Sequence, residues 1–225
     1  MYWININSSR FNNRFCCRIF HQGKIGQSTS LHLLNPIRNQ EKLVYKGTEP
    51  KATVNLIFSG PFDYNFTNKL KMDALKETLQ IRLIERLRED EGGVYSPGVR
   101  MGLSKLPQGR YSFMVTFGCA PENVEKLIAS SLDEIEKIKT DGPAQVHIDK
   151  FKAETQRSIE TGVKTNGFWM GYFSGQLQNH ENLDQINSYI TQVNSITPAN
   201  VKETAIKYLS GKNYIKLVLL PQQGN

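Results

Sequence analysis

The chain has 225 residues, of which 39% are hydrophobic, and a formal net charge of +7. That length allows one substantial core or two small ones, and no run approaches the ~20 apolar residues of a membrane span. The first 40 residues contain five basic side chains and no acidic one, whereas the remainder holds 23 basic and 21 acidic residues. The body of the chain therefore lacks the charge footprint of a nucleic-acid-binding protein.

Residues 1–42 are expected to form an irregular basic leader rather than part of the folded domain. They are rich in Asn, Ser and Arg and show no sustained hydrophobic period. An Arg-rich, acid-free segment resembles a mitochondrial transit peptide. We favour instead the remnant of a preceding domain, because the helical periodicity is weak. Nucleic-acid binding through this segment is a third interpretation, and it rests on five charges.

The three cysteines indicate neither a disulfide framework nor a catalytic thiol. Cys16 and Cys17 are adjacent and lie in the leader, and Cys119 ends a strand-like run, which favours a small buried hydrophobe. Three such cysteines do not decide the compartment. Bacterial periplasm and mitochondrion both stay open.

The first half of the body predicts a strand, a long helix and two more strands. Apolar and polar residues alternate over 53–59, which indicates a strand. A helix is expected over about 65–88, where leucines recur on one stripe, and Gly92-Gly93 ends it. Strands follow at about 94–104 and 109–118, and the second has the alternation of a half-buried antiparallel strand.

The second half predicts helices up to a closing strand at Tyr214–Leu220. In chain order these helices are 121–138, 144–163, one capped by Asn166, a short one at 183–193, and one from 197 to about 211. The order of elements describes an α+β domain over residues 43–225, with helices packed on one face of a mostly antiparallel sheet.

No arrangement of residues predicts a metal site or a nucleophilic triad within the chain. The four histidines are His21, His32, His147 and His180, and no H-E-x-x-H, H-x-x-E-H or G-x-S-x-G occurs. His147 is expected to face solvent beside the apolar stripe of its helix. His180 is explained by a position at a helix end.

The segment 81–95, with the sequence IRLIERLREDEGGVY, brings an arginine and a tyrosine to either side of a helix-to-strand break. Arg88 has a fork of donors suited to carbonyl and carboxylate groups. The hydroxyl of Tyr95 can donate to an oxygen that gains negative charge during acyl transfer. The charge run at 86–91 is also typical of a solvated helix end, so spacing alone does not decide between a site and a surface.

The runs KLVYKGTEPKATVNLIFSG and LQIRLIERLREDEGGVYSPGV resemble the last domain of the pitrilysin-type (inverzincin, insulinase-like) zinc metallopeptidases. The resemblance extends over about 43–221. It implies a substrate-binding domain facing an amino-terminal half that carries H-x-x-E-H, a further glutamate and the zinc. By the same resemblance, Arg88 and Tyr95 assist catalysis, and Gly92, Gly93 and Ser96 contact the peptide.

This resemblance implies no cofactor in the chain itself, with zinc in the complementary half. The expected partners are a peptide or unfolded polypeptide substrate and the amino-terminal catalytic half or subunit, without nucleic acid and without a membrane span. Because the catalytic motif is missing, the chain is expected to be inactive alone, as a fragment or a subunit. A non-catalytic scaffold or assembly subunit on the same fold remains the alternative.

Overall fold

A computed structural model describes residues 39–94 and 96–222. Over these ranges five strands form one sheet in the spatial order β1-β5-β2-β4-β3. The strands are β1 (Gln40–Tyr45), β2 (Ala52–Pro61), β3 (Gly98–Ser104), β4 (Arg110–Cys119) and β5 (Tyr214–Leu220). The helices are α1 (Phe66–Leu83), α2 (Val124–Thr140), α3 (Gln145–Gly162), α4 (Asn166–Gln178), α5 (Tyr189–Asn194) and α6 (Pro198–Tyr208).

The sheet is mixed but mostly antiparallel, which confirms the predicted α+β class. Strand β2 pairs antiparallel with both β4 and β5, and β3 pairs antiparallel with β4. Strand β1 runs parallel to β5. Strand β1 was not predicted from the sequence, and its first residues fall within the segment 1–42 that was expected to be an irregular leader. Residues 1–38, the rest of that segment, lie outside the described residues.

One face of the sheet carries the core, because apolar side chains alternate along its central strands. In β2, Ala52, Val54, Leu56 and Phe58 are buried, whereas the residues between them are only half-buried. Helices α1, α2 and α6 pack on this buried face. The predicted layer of helices on one side is therefore present.

The helix predicted over about 65–88 consists of an α-helix followed by a π-helix. Asn65 caps α1 by accepting a hydrogen bond from the backbone N–H of Asn68 at 2.8 Å. The α-helix ends at Leu83, and a π-helix continues over Ile84–Asp90. The leucines at 75, 79, 83 and 87 are all fully buried, so the apolar stripe runs unbroken through the change of helix type.

The predicted helices of the second half are present, with two corrections. Thr165, not Asn166, caps α4, and its hydroxyl accepts from the N–H of Phe168 at 3.4 Å. The short helix expected at 183–193 is a 3-10 helix at Leu183–Ser188 followed by α5. Thr197 caps α6, as its Thr-Pro start predicts. A reciprocal capping box with Asn200 adds to this cap.

No helix in the described ranges, 39–94 and 96–222, combines the length and apolar character needed to cross a membrane.

The leucine stripe of α1 makes a direct prediction about stability. Leu79→Ala removes a fully buried side chain and should lower the free energy of unfolding by about 2–5 kcal/mol, measured by urea denaturation. Leu177→Ala is the matched control, because that side chain is 63% exposed and its loss should cost less than about 0.5 kcal/mol. Equal losses for the two variants would contradict the assigned core.

Candidate functional site

The predicted site residues lie on one connection, which leaves the π-helix and enters β3. Arg88 is exposed in the last turn of the π-helix, and Gly92 and Ser96 are exposed further along. Gly93 is partly buried between them. Tyr95 lies outside the described residues, so the structure does not test its predicted proximity to Arg88.

The π-helix is a feature that the sequence pattern did not predict. The backbone N–H of Glu91 donates to the carbonyl of Arg86 at 3.2 Å, five residues back, and the N–H of Gly93 donates to Leu87 at 3.2 Å. π-Helical turns are rare and occur frequently at functional sites. Here the wider turn presents Arg88 to solvent while Leu87 stays in the core.

The two glycines after the π-helix are required for different reasons. Gly92 has φ of +60° with open space around it, which confirms the predicted left-handed helix end. A Cβ on Gly93 would lie 3.0 Å from Cδ2 of Leu127, which is itself buried. Gly92 therefore turns the chain, and Gly93 lets it pass close to α2.

Glu91 is partly buried and hydrogen-bonded, which corrects the expectation of a solvated helix end for the whole charge run. Its side chain is only 7% exposed. Its carboxylate accepts from Oγ of Ser130 at 2.5 Å and pairs with Nε of Arg86 at 3.1 Å and Nζ of Lys126 at 3.3 Å. Burial alone would raise the pKa of Glu91, but the hydrogen bonds from Ser130 and Lys126 and the charge of Arg86 hold that pKa below its ordinary value.

Gln80 fixes the far end of the same connection. Its amide Nε2 donates to the carbonyl of Pro97 at 2.7 Å, and its Oε1 accepts from the N–H of Val99 at 2.7 Å. Both bonds join α1 to the entry of β3. The contacts of Gln80 and Glu91 were not predicted, because the sequence of an amphipathic helix gives no signal of the partners of a polar residue near its end.

The described histidines and cysteine take structural positions. His147 is half-buried, not solvent-facing as expected, and its Nδ1 has no hydrogen-bond partner among the described residues. His180 lies two residues after the end of α4 and has φ of 52°, which fits its predicted position at a helix end. Cys119 is buried as predicted, and burial raises the pKa of its thiol, which disfavours the reactive thiolate.

Across residues 39–94 and 96–222, no group of three or more His, Cys, Asp or Glu side chains is arranged to hold a metal ion. The described residues therefore do not fit a zinc ion, and no chemical step is assigned to a metal bound by them.

A cavity of about 440 Å³ lies among α1, α3 and α5, away from the predicted site. Its walls include Asp73, Phe151 and Tyr189. Burial raises the pKa of Asp73 to about 6, against the opposing charges of Lys76 and Lys69. Along the helix axis Asp73 stands about 20 Å from Arg88, given ~1.5 Å per residue. The cavity is therefore separate from the segment that carries Arg88.

Residues 26–155, more than half of the chain, match the family described as the peptidase M16 inactive domain. The chain belongs to this family. It is 32% identical over 101 residues to a zinc protease PQQL-like protein of Arabidopsis thaliana, an alignment that covers 43% of this chain and 11% of that protein. The expected resemblance to zinc metallopeptidases is thereby confirmed.

Solved structures of longer proteins contain the same fold. The periplasmic protease PqqL of Escherichia coli superposes with a TM-score of 0.74 and 21% identity, over 83% of this chain and 21% of that one. A protease from Helicobacter pylori gives a TM-score of 0.70 and 18% identity, over 83% of this chain and 45% of that one. The chain thus spans about a tenth of the plant relative and about a fifth of the Escherichia coli structure.

The left-handed turn at Gly92 predicts a backbone cost on substitution. Gly92→Ala should lower the free energy of unfolding by about 1–2 kcal/mol, because a Cβ disfavours positive φ. Gly171→Ala, in the interior of α4 with open space around it, should instead raise stability by about 0.5–1 kcal/mol. Chemical denaturation measures both. A neutral Gly92→Ala would show that the turn is not held in this conformation.

The buried carboxyl of Asp73 predicts a pH-dependent stability. Its folded-state pKa of about 6 exceeds the ordinary 3.8. Between those values the unfolded chain releases the proton of Asp73 while the folded chain retains it, so the free energy of unfolding falls as the pH rises. Asp73→Asn should therefore raise the free energy of unfolding at pH 7.5 by up to about 3 kcal/mol, with no gain near pH 3.5. The exposed Asp149→Asn should change stability little at either pH. A gain that did not depend on pH would contradict the assignment.

Proposed function

We propose that this chain is the substrate-contacting, carboxy-terminal part of a zinc-dependent metalloendopeptidase and that it does not cleave peptides alone. The observation that supports this most is the exposure of Arg88 on a π-helical turn whose continuation is anchored to α2 and α1. Membership of the peptidase M16 inactive-domain family supports the same function.

The proposed contacts use donors that this chain can supply. The guanidinium of Arg88 would bind a backbone carbonyl of the peptide, since its donors form a fixed fork. The hydroxyl of Tyr95 would donate to the carbonyl oxygen as it becomes an oxyanion. The exposed backbone at Gly92 and the side chain of Ser96 would line the path of the peptide.

The reaction itself would require the complementary amino-terminal half. Zinc held there by H-x-x-E-H and a further glutamate would polarise the scissile carbonyl and supply an activated water. The sequence of this chain contains no such motif. Its own residues would bind the peptide, orient it and donate a hydrogen bond to the oxyanion.

The proposed substrate class is an extended, unfolded polypeptide. A related solved structure, with a TM-score of 0.72 and 19% identity, is a ferredoxin protease in complex with Arabidopsis ferredoxin. That protein therefore acts on a polypeptide. For this chain the proposal extends to polypeptide chains in general and to no named protein.

A non-catalytic assembly subunit on the same fold is the second candidate. Helix α4 contains no charged residue and exposes Met170, Phe173 and Leu177, and exposed apolar patches mark interaction surfaces. A scaffold of this kind would use α4 and would have no need of Arg88 or Tyr95. Substitution at those two positions separates the two candidates.

Peptide binding by the chain alone tests the proposal first. The purified chain should bind fluorescein-labelled β-casein, an unstructured polypeptide, without cleaving it. Arg88→Ala and Tyr95→Phe should each weaken binding about 3- to 10-fold, the scale of one lost hydrogen bond. Fluorescence anisotropy measures the affinity. Arg157→Ala and Tyr45→Phe, at exposed positions elsewhere, are the matched controls and should leave it unchanged.

Cleavage by the reconstituted enzyme is the second readout. With the zinc-bearing half supplied, Tyr95→Phe should lower kcat by about 10², the effect of losing one oxyanion donor. Chelator-sensitive cleavage of casein by the chain alone would overturn the assignment of zinc to the other half. Unchanged binding and turnover in both variants would favour the assembly subunit.

A further inference from the structure

We propose that the cavity among α1, α3 and α5 is a binding site for an organic cation, in which an ammonium or guanidinium group ends a short aliphatic stem. Such a cation is either a free small molecule or the side chain of a lysine or arginine in a polypeptide. The cavity lies apart from the segment that carries Arg88. The inference therefore does not depend on the proposed function and extends beyond it.

The size and position of the cavity suit a small ligand. Its volume of about 440 Å³ lies within the range of about 300–1,000 Å³ that small-molecule sites occupy. Three helices contribute to its walls, through Leu70 on α1, Phe151 on α3 and Tyr189 on α5. Leu70 and Phe151 are buried, so the core of the domain holds two of these walls in place.

The charged groups on the cavity wall are all acidic. Asp73, Glu77 and Glu154 line the cavity, and the described residues that line it include no lysine, arginine or histidine. Thr155 and Ser158 add two hydroxyl groups to the same walls. Carboxylate and hydroxyl oxygens are the acceptors that the N–H groups of an ammonium or guanidinium ion need. The walls are therefore complementary to a cation in both charge and hydrogen bonding.

Asp73 is the acid on which a bound cation would act most strongly. No described residue donates a hydrogen bond to its carboxylate or forms an ion pair with it. Lys76 and Lys69 act on it through their charges alone, because they pair with Glu77 at 2.8 Å and with Glu181 at 3.7 Å. Burial outweighs these charges and raises the pKa of Asp73 to about 6. A cation in the cavity would replace the hydration that this carboxylate has lost.

The other walls suit the aliphatic stem of the ligand. Leu70, Phe151 and Ile159 provide apolar surface, on which the methylene groups of a lysine or arginine side chain pack while the charged end stays among polar groups. Phe151 and Tyr189 also supply aromatic rings, which attract cations. The ring of Tyr189 is held by an edge contact with Phe66 at 5.1 Å. A mixed wall of this kind favours an organic cation over a bare metal ion.

A chemical-shift titration of the full chain with n-butylammonium chloride tests the site. At pH 7.5 the Kd should be about 1 mM or tighter, with amide shifts concentrated on α1, α3 and α5. n-Butanol has the same stem without the charge and should bind at least about 10-fold more weakly.

Asp73→Asn should raise the Kd for n-butylammonium at least about 10-fold, the scale of one lost hydrogen bond to a charged group. Asp149→Asn, an exposed position on α3, is the matched control and should leave Kd unchanged. Thr155→Leu is a second variant, which fills space in the cavity without altering its charge and should also weaken binding. Circular dichroism establishes that each variant is folded.

The pH dependence of binding is the second readout. The cation binds the ionised carboxylate of Asp73, whose pKa is about 6, so the affinity should rise about 10-fold between pH 5 and pH 7.5. An alkylammonium ion keeps its own charge over this range. Asp73→Asn should remove the dependence, and Asp149→Asn should retain it. The charged and titratable groups around Asp73 are Lys69, Lys76 and Glu77 on α1, Glu154 on α3 and Tyr189 on α5.

A peptide ligand distinguishes the two sources of the cation. The capped tripeptide Gly-Lys-Gly carries the same stem and charge as n-butylammonium. Tighter binding of the peptide would support the site and assign it to a basic side chain of a polypeptide. Tighter binding of n-butylammonium would support the site and assign it to a free small cation.

Four results would overturn the inference. They are no binding of either cation, binding of n-butanol as tight as that of n-butylammonium, unchanged Kd and pH dependence in Asp73→Asn, and displacement of n-butylammonium by Mg²⁺ at matched ionic strength. The last result would reassign the cavity to a metal ion. None of these results involves the binding of casein, so the proposed function is tested separately.

Discussion

The burial of one leucine stripe in the core fixes the position of the π-helix and of the connection that follows it. The stripe runs through α1 and into the π-helix, so Leu83 and Leu87 are both fully buried although the helix type changes between them. Because Leu87 is held in the core, Arg88 is carried to the surface at the end of the same element. The turn at Gly92 then returns the chain towards β3.

Two long-range polar contacts add to the packing of the leucine stripe. The carboxylate of Glu91 ties the end of the π-helix to α2, and the amide of Gln80 ties α1 to the first residues of β3. Both contacts are made by partly buried side chains, and a hydrogen bond shielded from water is worth more than one in bulk solvent. The chain is thus anchored at Glu91, before the turn at Gly92, and again at Pro97 and Val99, at the entry of β3.

The sequence predicted those parts of the domain that a local hydrophobic period determines. The alternation in β4, the stripe of α1 and the closing strand all follow from it, and the Thr197 cap follows from its Thr-Pro start. Strand β1 was not predicted, because every one of its residues is exposed and no pattern of burial marks it. Its position is set by main-chain pairing with β5. The π-helix and the burial of Glu91 depend on contacts with α2, which no local pattern encodes. Arg88, Gly92 and Ser96 share one segment by their spacing in the sequence, and the roles given to them are still predictions.

The proposed contact between residue 95 and the peptide can be tested by photo-crosslinking. Tyr95 is replaced by p-benzoylphenylalanine, the chain is mixed with labelled β-casein and irradiated, and covalent adducts are counted. The same replacement at Met170, 69% exposed on α4, is the comparison. We predict adducts at position 95 and few at position 170. Adducts at position 170 without adducts at position 95 would contradict the account and assign polypeptide binding to α4.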